Sequence, residues 1–239
     1  MASIQTNSLV IDFPVYGGSG FPSIKSQLIN MAIGGRLTQE HKKTPNVRAL
    51  DDINLNFKDG DRIALTGHNG SGKSTLLRVL AGIYEPSSGL INVKGNISSM
   101  LSLTVGMNED ATGLENIYMR GYFMGLSYKK ITSLIDEIVD FSDIGDFLYL
   151  PMRTYSSGMS MRLAFAISTS VNADIILMDE WLSVGDIAFK KKAQDRLRNV
   201  IKNAGIVIIA THDWELVTNE CNLCVELEHG KITRQYEPS

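Results

Sequence analysis

Apolar positions along this chain of 239 residues follow two rhythms, one of short strands and one of helices. Ser8-Leu-Val-Ile-Asp-Phe13 reads as a first strand that runs into Pro14 and Tyr16. Ile53-Asn-Leu-Asn-Phe57 alternates as a half-buried strand should, and Asp59-Gly60 marks the turn after it. Ile63–Thr66, Ile175–Met178 and Ile206–Ala210 are short apolar runs of the kind buried in parallel sheets. Residues 89–101 form a small β excursion, and a last strand pair near 223–234 closes round Gly230. Helical spacing fills the gaps. Leu76–Ala81 ends at Gly82, and Thr112-Gly-Leu-Glu115 is a capping-box opening. Ile131, Leu134, Ile135, Ile138 and Val139 recur every three or four residues. Residues 157–171 predict a helix rich in Met, Leu, Phe and Ala, and 187–203 a charged one. Strands alternating with helices imply an α/β fold with a mainly parallel core sheet. The helices between about 100 and 172 interrupt that alternation and predict a helical sub-domain, beside a small antiparallel β part.

Composition changes this picture at one place. Residues 17–48 hold five basic side chains (Lys25, Arg36, Lys42, Lys43, Arg48) against Glu40 alone, a local charge of +4. The whole chain carries −3, so the remainder carries −7. The insert, with a short amphipathic helix about Ile24–Ile33, reads either as a solvated basic loop or as a contact for a partner or anionic lipid heads. The overall acidic balance gives no footprint for nucleic acid. Two cysteines make no disulfide framework, which suggests a reducing, cytoplasmic setting. The Cys221-x-x-Cys224 pair lacks the further ligands of a zinc site and reads as structural, and His41, His68 and His229 receive no role. No stretch approaches the roughly 20 apolar residues of a membrane-spanning helix, and the amino terminus does not resemble a secretion signal.

The chemistry is concentrated in Gly67-His-Asn69-Gly70-Ser71-Gly72-Lys73-Ser74-Thr75, which fits Gly-x-x-x-x-Gly-Lys-Ser between a strand and a helix. Glycines allow successive backbone N–H groups to turn inward, and the helix amino end adds its dipole, so the loop is built to hold phosphate. In this pattern Lys73 reaches the β- and γ-phosphates and the Ser74 hydroxyl binds Mg²⁺. Ile175-Ile-Leu-Met-Asp179-Glu180 ends an apolar strand in two acids at the carboxyl edge of the sheet, where ligands bind. Asp179 suits the Mg²⁺ of a bound nucleoside triphosphate, and Glu180 suits the polarising of an attacking water.

Tyr155-Ser156-Ser157-Gly158-Met159, upstream of Asp179, resembles the signature of the ATP-binding cassette (ABC) family, typically Leu-Ser-Gly-Gly-Gln. Ser156 and Gly158 match, while Ser157 and Met159 depart. The resemblance covers residues 8 to about 235 and implies a P-loop ABC-type nucleotide-binding domain over 1–239. It also implies a homodimer that sandwiches ATP between the phosphate loop of one subunit and Ser156, Ser157 and Gly158 of the other. It further implies a D-loop role for Asp186 and a switch-histidine role for His212, leaving Glu180, His212 and Lys73 as the catalytic set. The family's Q-loop glutamine is missing, and Ser102 is its counterpart as a residue on the metal side. Tyr16 is the candidate for stacking on adenine.

Leu101-Ser-Leu-Thr-Val-Gly-Met, then Thr112-Gly-Leu-Glu-Asn-Ile117, resembles the polysaccharide-exporting branch of the family, as does Glu180-x-Leu-Ser-Val-Gly-Asp186. The branch implies an ATPase subunit at the cytoplasmic face of the inner membrane, peripheral, paired with separate transmembrane permease subunits. Its substrate would be a lipid-linked glycan, O-antigen foremost, with capsule or teichoic acid as alternatives. A soluble cassette ATPase acting on ribosomes or DNA fits less well, because the chain has neither a second cassette nor a coiled-coil insertion. A switch GTPase is disfavoured by the absent Asn-Lys-x-Asp motif.

Overall fold

The computed structural model describes residues 1–15, 37–38, 46–180 and 187–238. Tyr16, Asp186, the helix expected near 24–33 and most of the 17–48 insert lie outside the described residues. The chain divides into two compact units: Met1–Gly95 with Leu177–Glu180 and Gly205–Ser239, and Asn96–Ile176 with Trp181–Ala204.

The first unit contains a four-stranded antiparallel sheet in the order β2-β3-β1-β5, from β1 (Ser3–Pro14), β2 (Leu37–Thr38), β3 (Asn46–Lys58) and β5 (Ser88–Lys94). The long strands β1 and β3 pair from Ser3↔Lys58 to Pro14↔Asn46. Both begin well before the alternating stretches predicted from sequence. Their registers shift between Thr6 and Asp12, and Ser8 and Asp52 take positive φ of 44° and 55°. Bulges of this kind insert residues that break the period-two pattern, which hides the strand in the sequence.

The parallel core is centred on β4 (Arg62–Thr66), flanked by β8 (Ile206–Ala210) and β9 (Leu223–Glu228), with Ile63↔Ile208 and Ala64↔Cys224 in register. Antiparallel β10 (Lys231–Tyr236) closes the edge beside β9. On the other side β8 is followed by β7 (Ile175–Asp179), which delivers Leu177–Glu180 to this unit. Every residue of β8 and residues 175–178 of β7 are buried, as two-sided coverage of a parallel sheet demands. Helix α1 (Lys73–Leu80) follows β4, and Leu76, Leu77, Val79 and Leu80 are buried on it.

The second unit holds β6 (Ile97–Met100), α2 (Gly113–Phe123), α3 (Tyr128–Thr132), α4 (Ile135–Ser142), two 3₁₀ turns (Gly145–Tyr149, Met152–Thr154), α5 (Ser157–Thr169) and α6 (Ile187–Asn203). Thr112 caps α2 in the reciprocal box expected from Thr112 and Glu115. The helix expected over 131–139 is split into α3 and α4. The Thr132 hydroxyl donates to the Tyr128 carbonyl at 2.9 Å, and the Ser133 hydroxyl to the Lys130 carbonyl at 2.7 Å. Such back-bonds compete for helical carbonyls and end the first segment. Phe141, Phe165 and Phe189 pack edge-on or tilted at 5.5–6.2 Å. The Arg196 guanidinium lies over Phe141 and pairs with Glu137 at 2.5 Å, joining the charged helix α6 to this core. Among the described residues no helix is long and apolar enough to cross a membrane. A further helix in the first unit, α7 (Trp214–Glu220), went unread in the sequence; its signal is Asp213, whose carboxylate accepts from the Glu215 and Leu216 N–H groups as an N-cap.

Candidate nucleotide-binding site

The site begins where buried β4 gives way to Gly67, whose φ is +132°. A Cβ at Gly67 would lie 2.1 Å from the Leu227 carbonyl oxygen, so both backbone conformation and space require glycine there. The loop then folds on itself, with the Ser71 N–H donating to the His68 carbonyl at 3.1 Å. Its back is supported from the β9–β10 turn, where the Gly230 N–H donates to the Ser71 carbonyl at 2.8 Å. Gly230 has φ +79°, and a Cβ there would sit 2.5 Å from the Ala49 carbonyl oxygen. Gly72 caps α1 without a side-chain hydrogen bond, and no acid occupies the first turn. No side chain of the helix's own first turn therefore competes with an anion for the amide groups at that end.

Lys73 is 9% exposed, and its ammonium donates to the carbonyls of Gly67 at 2.6 Å and His68 at 3.2 Å. Burial pulls its pKa down, and the Asp179 and Glu180 carboxylates push it partly back up. Asp179 closes β7, half-buried. Glu180 follows, exposed and with φ +67°, and its N–H donates to the Ala210 carbonyl at 2.8 Å. β8 ends at Ala210 and leads into Thr211 and the exposed His212.

These pieces surround one cleft of about 200 Å³ lined by loop residues 69–75, Asp179, Glu180 and His212. Gly67 sits behind the lining and supplies the carbonyl that holds Lys73. Ala49 and Thr211 also line the cleft and were missed in the sequence, since neither belongs to a motif. The donor set fits a nucleotide phosphate and a hard cation. The Ser71 hydroxyl is fully buried with no hydrogen-bond partner among the described residues, and the Ser74 hydroxyl and Asp179 carboxylate offer the oxygen ligands that Mg²⁺ prefers.

A model of the ABC transporter family matches residues 50–183. The chain is 42% identical over its full length to the O-antigen export system ATP-binding protein RfbE of Yersinia enterocolitica, covering 98% of that protein. The chain belongs to the ABC transporter family. It is accordingly an ATP-binding cassette and an ATPase. The cassette is also 38% identical over 219 residues to RfbB of Myxococcus xanthus, named for the same export system, and spans 49% of that protein. A third relative is the teichoic acids export ATP-binding protein TagH of Bacillus anthracis, 40% identical over 77% of this chain, which covers 33% of TagH. The solved dimeric post-hydrolysis state of the ATP-binding cassette MJ0796, bound to ADP and Pi, superposes with TM-score 0.69 at 18% identity over 99% of both chains, which establishes the fold.

The other site candidates that the structure describes lie in the second unit of the cassette. Ser156 is exposed and N-caps α5, its hydroxyl accepting from the Met159 N–H at 3.2 Å. Ser157 is exposed, and a Cβ at Gly158 would meet only the Ser156 hydroxyl, at 3.8 Å. Ser102 is exposed, and its carbonyl accepts from the Val105 N–H at 3.3 Å. Cys221 and Cys224 are free thiols, and burial pushes Cys221 up to about 12. Among the described residues no group of three or more His, Cys, Asp or Glu is placed to hold a metal.

Proposed function

We propose that this ATPase drives export of a lipid-linked polysaccharide, O-antigen foremost, across the cytoplasmic membrane. In this reading residues 1–239 form one cassette with a basic insert at 17–48 and a helical sub-domain near 100–172. Two copies work at the cytoplasmic face of the membrane with separate transmembrane permease subunits, which carry the glycan. The observation that carries the proposal is the end-to-end similarity to the Yersinia O-antigen protein. The TagH relative favours teichoic acid as the second cargo.

In the mechanism we propose, the Gly67–Thr75 loop holds the phosphates by backbone N–H groups, with Lys73 neutralising charge between the β- and γ-phosphates. Ser74 and Asp179, with Ser102 in place of the family glutamine, would hold Mg²⁺. When bound, the cation supplies charge neutralisation at the phosphate oxygens. Glu180 orients water for in-line attack, and His212 contacts the γ-phosphate side. Ser156, Ser157 and Gly158 of the partner copy close over the same nucleotide, with Asp186 at the dimer seam and Tyr16 against the adenine. Loss of the γ-phosphate releases the sandwich, and the helical sub-domain passes the motion to the permease.

The test is ATP-dependent movement of lipid-linked O-antigen in vesicles holding both subunits. Transport should stop with Glu180→Gln. Unaltered transport by that variant would refute the proposal, and movement of teichoic acid alone would select the second cargo.

A further inference from the structure

We infer that Tyr155 is a positioning residue for Ser156, seated in a notch that only glycine at position 113 leaves open. The inference rests on the proposed role of Ser156 at the nucleotide. Ser156 itself is exposed, and among the described residues the only hydrogen bond its side chain makes is the cap to Met159 of its own helix. Its direction is therefore inherited from the residue before it. Tyr155 is fixed by contacts of its own. Its hydroxyl donates to the Phe147 carbonyl at 2.6 Å, and its oxygen lies close against Gly113. The ring meets Phe147 edge-on at 6.2 Å.

The Gly113 contact is the decisive one. Gly113 is the first residue of α2, and the tyrosine oxygen packs against its backbone. A Cβ at position 113 would lie 2.2 Å from that oxygen and 3.2 Å from the Leu148 carbonyl oxygen. Gly113 has ordinary helical φ, so the demand for glycine here is steric rather than conformational. The start of α2 is itself held firmly. Thr112 and Glu115 close the capping box, and the buried Asn116 amide donates to the carbonyls of Asn108, Ala111 and Thr112.

The backbone before Ser156 is tied to the same place. The Met152 N–H donates to the Ala111 carbonyl at 2.9 Å, the Arg153 N–H to the Glu109 carbonyl at 2.8 Å, and Thr112 bridges Pro151. Residues 109–113 and 151–155 thus form one clamped pair of segments. Tyr155 is its last member and hands its orientation to Ser156.

The experiment is a double-mutant cycle on the full chain: Gly113→Ala, Tyr155→Phe, and both together. Gly113→Ala should lower kcat for ATP hydrolysis by about tenfold or more while KM stays within about twofold, because displaced catalytic geometry is costly. Tyr155→Phe alone should cost about threefold. The double variant should recover most of the activity lost by Gly113→Ala, since removing the oxygen vacates the space a methyl group needs. A double variant no more active than Gly113→Ala, or a KM that rises in step with the kcat loss, would overturn the inference. Exchange of the Met159 N–H gives an answer independent of activity: faster in Gly113→Ala and restored in the double variant. Unchanged exchange across the cycle also refutes it. Wild-type protein without ATPase activity would instead refute the function on which the role of Ser156 depends, and the exchange result still decides whether Tyr155 positions it. Should Gly113→Ala not fold, Tyr155→Ala carries the test, with about a tenfold loss of kcat, unchanged KM and faster Met159 exchange expected; no change in kcat and exchange refutes it.

Discussion

Glu180 is held by Ala210: its N–H donates to the Ala210 carbonyl at 2.8 Å between the ends of neighbouring strands β7 and β8, with φ at +67°. The left-handed conformation costs a side-chain-bearing residue about 1–2 kcal/mol, and that cost falls on the residue proposed to direct water. Glu180→Gly should therefore raise stability by about 0.5–1 kcal/mol, a gain of about 2–3 °C in Tm, and abolish ATP hydrolysis. Glu180→Gln should leave Tm unchanged, abolish hydrolysis and accumulate an ATP-bound dimer. Thermal melts and size-exclusion chromatography in Mg-ATP separate the two effects. A glycine variant that melts no higher than the glutamine variant would show that the backbone stores no strain here.

Gly230→Ala tests the support behind the phosphate loop. The substitution meets both a positive φ and the Ala49 carbonyl oxygen at 2.5 Å, and it disturbs the Gly230 N–H bond to Ser71. Stability should fall by about 1–3 kcal/mol, and nucleotide affinity by about tenfold. Titration with a fluorescent ATP analogue measures the second effect. Undiminished affinity in a folded Gly230→Ala protein would remove the hairpin from the site.

Cys221 offers a pH prediction with a definite sign. Burial raises its folded pKa from 9.0 to about 12, so the folded state favours the neutral thiol. Its stabilising contribution is complete below about pH 9 and is lost as the pH climbs toward about 12. Denaturant melts should weaken across that window, and Cys221→Ser should weaken less. Maleimide labelling at pH 8 should be slow in the native protein and fast in urea, since the thiolate is the reactive form. Rapid native labelling of Cys221 would contradict the burial argument.

Arg120 is 5% exposed and its pKa is lowered by burial. Its guanidinium donates to the Val105 carbonyl and to the Ser168 hydroxyl, and among the described residues its Nε has no partner and no carboxylate pairs with it. A buried cation without a counter-charge costs desolvation, so Arg120→Met should leave Tm unchanged or higher. Arg120→Ala opens a void and should cost about 2–4 kcal/mol. Calorimetry on both variants decides this. A methionine variant as unstable as the alanine one would mean that the two hydrogen bonds, and not the packing, hold the segment.

What could be read in the sequence depended on how local the cause is. The loop from Gly67 to Thr75 and the Thr112–Glu115 cap were legible because neighbours in sequence make the interactions that define them. The true starts of β1 and β3 were not, because bulges at Ser8 and Asp52 interrupt the alternation. Ala49, Thr211 and Gly230 join or brace the cleft through tertiary contacts that leave no local pattern. The break between α3 and α4 turns on two hydroxyls choosing carbonyls, which hydrophobic spacing does not register. Tyr155 was visible as part of a signature, but its seat against Gly113 exists only in the folded unit.

The hydrogen bond between Gly230 and Ser71 also sets an order of events during synthesis. The phosphate loop is translated well before its brace. β8 and β9, which flank β4, also arrive after the second unit has been made. A nascent chain therefore carries the complete nucleotide motif long before it can shape it, and competence to bind ATP should appear only once the Gly230 turn has emerged. Nucleotide occupancy should then report that the β9–β10 turn has closed on the loop.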